Sequence, residues 1–149
     1  MKFQFRLATL LRLREAARDE RRAQLAQAYR AEQILREEQG RIDRELADLQ
    51  AQSRAAAGPG QLDVDCLLES RRYALVLQGR RQQVVRQEEL VREEIDRRRQ
   101  ALIEANRQVR VLEELRRRQL QRHRDEENRR EIKQLDELAA RAAGKEVEA

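Results

Sequence analysis

From Leu67 onward the apolar positions recur in alternating steps of three and four residues. Leu67, Ala74, Leu77, Val84, Val91, Ile95, Leu102, Ala105, Val109 and Leu112 all fall on that pattern. The same register passes through Ser70, Arg81, Glu88 and Arg98, so the apolar stripe carries polar breaks. Earlier in the chain Ala28, Leu35, Ile42 and Leu49 recur every seven residues, with Leu25 and Leu46 on or near the same face. A spacing that averages 3.5 residues keeps one stripe turned toward a partner helix and predicts a left-handed supercoil. Each Leu, Ile or Val buried in such a seam contributes roughly 1.5–3 kcal/mol. The Ala positions contribute less but allow close approach.

The two patterned segments are separated by AAAGPGQLDVD, residues 55–65. Gly58-Pro59-Gly60 is the strongest helix breaker in the chain. Asp63 or Asp65 follows with a side-chain oxygen able to cap a new helix. The pattern predicts helix one over about residues 3–54, a turn over about 55–63, helix two over about 64–142, and a tail over 143–149 with Gly144 ending the helix. The predicted fold class is therefore all-α: a long antiparallel two-helix coiled-coil hairpin with an extended C-terminal helix, forming one coiled-coil domain.

With the turn centred between Pro59 and Gly60, facing residues have numbers that sum to about 119. Ile42 then faces Leu77, Leu35 faces Val84, Leu7 lies near Leu112, and Phe3 lies near Leu115 or Arg116. Gly40 and Gly79 fall at one level, where they serve as tolerated defects, as a site of close packing, or as a bend. Residues from about 117 onward have no partner in helix one. At ~1.5 Å per residue, helix two would run roughly 120 Å and helix one about 75–80 Å. Near the end a small apolar set returns: Ile132, Leu135, Leu138, Ala139 and Ala142.

Composition agrees with long helices and limits what they can do. Of 149 residues, 41% are charged and 3% aromatic, with no Trp, so no thick core can form. Both Phe residues, Phe3 and Phe5, open the chain and lead into Leu7, Leu10, Leu11 and Leu13. This is the densest apolar cluster in the sequence, threaded by Arg6, Arg12, Arg14 and Arg18. Only three of the 33 basic residues are Lys, and the formal charge is +5. The 28 acidic residues are interleaved with the basic ones nearly throughout, which marks solvated helix faces rather than a phosphate-binding stripe. The run Arg116-Arg117-Arg118, with Arg122 and Arg124, follows the heptads instead of preceding them as in a zipper-type DNA reader. Aromatic residues for base stacking are also missing. These features favour a solvated face or a protein contact over nucleic acid, with an anionic membrane surface as a weaker alternative.

No chemistry is legible. His123 is the sole histidine and Cys66 the sole cysteine, so neither a disulfide nor a cysteine metal cluster can be written. No phosphate-binding glycine loop is present, and acidic pairs such as Glu93-Glu94 point in different directions on a helix. The expectation is a non-enzymatic protein with no cofactor, no catalytic residue and no metal. No apolar run approaches a membrane span, and Arg6 and Arg12 interrupt what would be a signal peptide, so a cytoplasmic chain is expected.

The opening MKFQFRLATLLRLREAARDE, the charged coil of nearly 150 residues and the closing EIKQLDELAARAA together resemble the flagellar export protein FliJ family. The matching positions are Phe3, Phe5, Leu7, Leu10, Leu11, Leu13, Arg14 and Glu15 at the start and Leu135, Asp136 and Glu137 at the close. The Arg bias and the Gly-Pro-Gly turn are not family marks. The resemblance implies a soluble component of the flagellar type III export apparatus, peripheral to the inner membrane. It would act as a stalk or adaptor that binds the export ATPase hexamer, contacts the export gate membrane protein on its cytoplasmic side and handles empty export chaperones. The expected ATPase-binding residues are Phe3, Phe5, Leu7, Leu10, Leu11, Leu13, Arg14, Arg18, Leu135, Asp136 and Glu137. The rival readings are a nucleic-acid or polyanion binder and a generic spacer coiled coil.

Overall fold

A computed structural model describes residues 1–58, 60 and 62–148. Two helices account for nearly all of them: α1 (Ala8–Ala56) and α2 (Val64–Val147). They pack against each other as an antiparallel hairpin. The cross-helix bonds reveal the direction, since Glu45 meets Tyr73, Glu38 meets Arg80 and Tyr29 meets Arg99.

The turn is built as its residue types require. The last bonds of α1 run from the Ala57 amide to the Ser53 carbonyl and from the Gly58 amide to the Ala55 carbonyl. Gly60 has φ +137°, a conformation open to glycine and costly for residues with a Cβ. Pro59, on which the predicted break is centred, lies outside the described residues, as do Gln61 and Ala149. Of the two candidate caps the structure selects Asp63. Its Oδ1 accepts the Cys66 amide at 3.1 Å and its carbonyl accepts the Leu67 amide. Asp65 sits in the first turn of α2, where its charge complements the helix dipole.

Two boundaries differ from the prediction. Helix α1 begins at Ala8, not near residue 3. No Ser, Thr, Asp or Asn precedes Ala8 to cap an earlier start. Helix α2 continues through Gly144 to Val147. Among the described glycines only Gly60 takes a positive φ, so Gly144 does not adopt the left-handed conformation that stops helices. It is carried by helix-favouring Ala142, Ala143, Lys145 and Glu146 instead.

The chain forms two compact units: residues 1–19 with 104–149, and residues 20–103. In the second unit Ile42, Leu77 and Val84 make a buried cluster, with Leu35, Leu46 and Leu49 against it. The predicted neighbours Ile42 and Leu77, and Leu35 and Val84, thus share one core. Ala28 and Ile95 are buried as well. A polar layer interrupts this seam. The Glu32 and Glu88 side chains are only 13% and 10% exposed. Arg36 holds Glu32 at 2.7 Å and reaches Glu88 at 3.6 Å; Arg92 holds Glu88 at 2.7 Å and reaches Glu32 at 3.8 Å. Each carboxylate is therefore neutralised first by an Arg four residues on in its own helix, and only secondarily across the pair. Arg98 donates to the Gln24 carbonyl and to Glu94. Arg81, the one predicted seam residue that is exposed, bonds Asp43 at 2.7 Å. Gly40 and Gly79 are not sites of close packing, because a Cβ at either would meet nothing within 4 Å.

Candidate functional site at the chain termini

The unit that gathers residues 1–19 and 104–149 is where the sequence pattern and the apolar opening meet. Its core is Leu11, Val109 and Leu112, with Phe5 packed on it. Leu11, not Leu7, is therefore the α1 partner of Leu112. Leu7 is the last residue before the helix and is 38% exposed; its carbonyl accepts the Leu11 amide at 2.9 Å.

Residues 1–5 precede the helix and reach much farther along α2 than a helix would. Phe3 stacks at a tilt on His123, with ring centroids 5.7 Å apart, instead of lying at Leu115 or Arg116. The shift has a simple cause. Five extended residues span ~16 Å, against ~7.5 Å in a helix, and the ~9 Å gained equals about six residues of α2. The Met1 carbonyl lies 3.0 Å from His123 Nε2, which is also 3.1 Å from Glu127 Oε1. The Met1 ammonium stands 3.4 Å from the same carboxylate. Residues 117–127 are thus partly covered by the N-terminal segment, where the sequence predicted no partner. His123 and Glu127 were not among the expected site residues; their spacing of four on a helix was the available signal.

The expected site residues divide by environment. Leu11 is buried and serves the core; Phe3 and Phe5 are half-buried against their own chain. Leu10 and Leu13 are exposed. Arg14 donates to Gln108 Oε1 at 2.8 Å, and Arg18 lies 3.2 Å from Asp19. Leu135, Asp136 and Glu137 lie on a bare helix, since every described residue from 128 to 148 is exposed. The structure brings Phe3, Phe5, Leu7, Leu10, Leu11, Leu13, Arg14 and Arg18 into one compact unit with α2, but no contact joins them to Leu135, Asp136 or Glu137 among the described residues.

The bare helix has a face of its own. Ile132, Leu135, Ala139 and Ala142 step by three and four along it. At 3.6 residues per turn their mean direction is turned roughly 140° from His123 about the helix axis. This stripe does not continue the face that the N-terminal segment covers. Nine residues before His123, Glu114 is held below the ordinary carboxylate range by bonds from Arg117 and then Arg118, each at 3.0 Å. Among the described residues no three His, Cys, Asp or Glu side chains gather as a metal site, and no helix is long and apolar enough to cross a membrane.

The family model described as Flagellar FliJ protein matches residues 2–148, which is essentially the whole chain. The chain belongs to the FliJ family. Membership implies a role related to flagellar export. No curated protein and no solved structure matches it. The family match spans both the hairpin seam and the exposed end of α2, so the bare helix is part of the FliJ-family pattern and not an appendage to it.

Proposed function

We propose that this FliJ-family chain is a stalk or adaptor of the flagellar type III export apparatus that docks on the export ATPase ring through its terminal unit. From there it links the ring to the export gate and to empty export chaperones. The observation that carries the reading is the assembly of the terminal unit itself. A clamp of buried Leu11, Val109 and Leu112 with half-buried Phe5 fixes the fold there, and Leu10 and Leu13 are left exposed beside Arg14. Clamp and surface are distinct residues, so stability and docking can be altered separately. The stripe at Ile132, Leu135, Ala139 and Ala142 offers a second contact that needs no displacement of the N-terminal segment.

The test is capture of the cognate export ATPase by the intact chain. Leu10→Ala/Leu13→Ala should weaken capture by about tenfold or more, in line with the loss of two exposed apolar contacts that become buried on docking. Circular dichroism should show the helices unchanged. Undiminished capture by this variant and by Ile132→Ala/Leu135→Ala would reject the terminal unit as the docking surface.

A further inference from the structure

An apolar seam has no preferred direction. Two copies of this chain, opened at the turn and zipped in parallel with α1 on α1 and α2 on α2, would cover the same seam positions as the hairpin does. Within the unit of residues 20–103, however, four seam positions are charged: Glu32 in α1, and Arg81, Glu88 and Arg98 in α2. Glu32 follows Leu25 by seven residues, Arg81 and Glu88 continue the sevens of Leu67 and Ala74, and Arg98 follows Val91 by seven. Three of them lie inside the seam, since the Glu32, Glu88 and Arg98 side chains are 13%, 10% and 30% exposed.

In the hairpin each of the four meets a complementary group on the other helix. Glu32 has Arg92 at 3.8 Å, Glu88 has Arg36 at 3.6 Å, Arg81 has Asp43 at 2.7 Å, and Arg98 donates to the Gln24 carbonyl. In a parallel, in-register pair each seam position faces its own counterpart. Glu32, Arg81, Glu88 and Arg98 would then form four like-charge layers. The i,i+4 pairs Arg36–Glu32, Arg92–Glu88 and Arg98–Glu94 lie within one helix and survive either arrangement, so they do not choose between them. An antiparallel pair of two α2 helices would set Glu88 against Arg98 of the second copy, but it would uncover Leu25, Leu35, Ile42, Leu46 and Leu49 of α1.

We propose that the seam charges are a pairing selector: they reject a second, parallel copy of the chain and so keep the hairpin monomeric. The apolar seam positions supply cohesion, and Glu32, Glu88 and Arg98 supply the choice of partner. This accounts for carboxylates held at positions where well-packed Leu would add stability, because a charge in a seam trades stability for a defined partner. The proposal concerns how the chain pairs with itself and stands apart from docking on the ATPase.

The experiment compares the full chain with Glu32→Leu/Glu88→Leu/Arg98→Leu, which removes three of the four layers and leaves exposed Arg81. A helix joined to its partner by a short turn has an effective concentration in the mM range, so light scattering is carried to about 1 mM chain. The unaltered chain should keep the mass of one chain throughout, and the variant should approach the mass of two as concentration rises. Circular dichroism should show both fully helical. A single spin label at exposed Gln78→Cys, in a Cys66→Ser background, reads the direction: it is broadened by its counterpart in a parallel pair and has no neighbouring label in a hairpin or in an exchanged antiparallel pair. Broadening that appears in the variant alone, together with the doubled mass, is the expected result. The proposal is overturned by a variant that stays at one chain to about 1 mM, by an unaltered chain that itself dimerises, or by association of the variant without broadening.

Discussion

Helix α2 lives in two environments, and comparing them separates two sources of helix stability. Between Leu67 and Leu112 its seam is covered by α1, and Leu77, Val84, Ile95 and Val109 are 5% exposed or less. Between residues 128 and 148 every described side chain is exposed, yet the helix persists to Val147. The first stretch is held by packing and tolerates Glu88 and Arg98 in its seam. The second depends on helix propensity and local charge pairs, which contribute tenths of a kcal/mol per residue. Length alone is thus a poor guide to which part of α2 is fixed by packing.

The sharpest way to break this comparison is to truncate one Leu in each environment. Leu11→Ala, in the core with Val109 and Leu112, should cost about 2–3 kcal/mol, the lower part of the range for buried Leu because the coil is thin. Leu135→Ala, 64% exposed, should cost less than about 0.5 kcal/mol. Thermal melts followed by circular dichroism measure both, and equal losses would erase the distinction.

A smaller effect of opposite sign tests the polar layer. Because Arg36 and Arg92 are each more than half exposed, removing the carboxylates orphans no buried charge. Glu32→Leu/Glu88→Leu should therefore stabilise the hairpin by about 1–2 kcal/mol in denaturant titration. Destabilisation would mean that the cross-helix contacts at 3.6 and 3.8 Å hold the pair more strongly than their lengths suggest. The smallest change concerns the glycines. Gly79→Ala should add about 1 kcal/mol, since the new Cβ meets nothing within 4 Å. Gly144→Ala should leave the melting temperature unchanged and only raise the helical signal, because the bare tail does not share the cooperative core.

The seam was legible because packing between helices imposes a period. Each seam position read between Leu67 and Leu112 is buried or half-buried except Arg81, and both Ile42 with Leu77 and Leu35 with Val84 occupy the predicted core. The opening segment was not legible in the same way. An extended run has no helical period, and a register continued from the helices misplaced Phe3 by about two turns of α2. Residue type alone also could not separate Leu11, which is buried, from Leu10 and Leu13, which are not. That division depends on where the helix starts. Gly144 read as a stop because glycine so often ends helices, but without a left-handed conformation it has no such effect.

The central claim is that residues 1–5 lie extended along α2 as far as His123 and Glu127 within one chain. Spin labels at Lys2→Cys and Arg124→Cys, in a Cys66→Ser background, test it most directly. The account predicts strong dipolar broadening that survives dilution with unlabelled chain. Labels too distant to broaden, or broadening lost on that dilution, would contradict it.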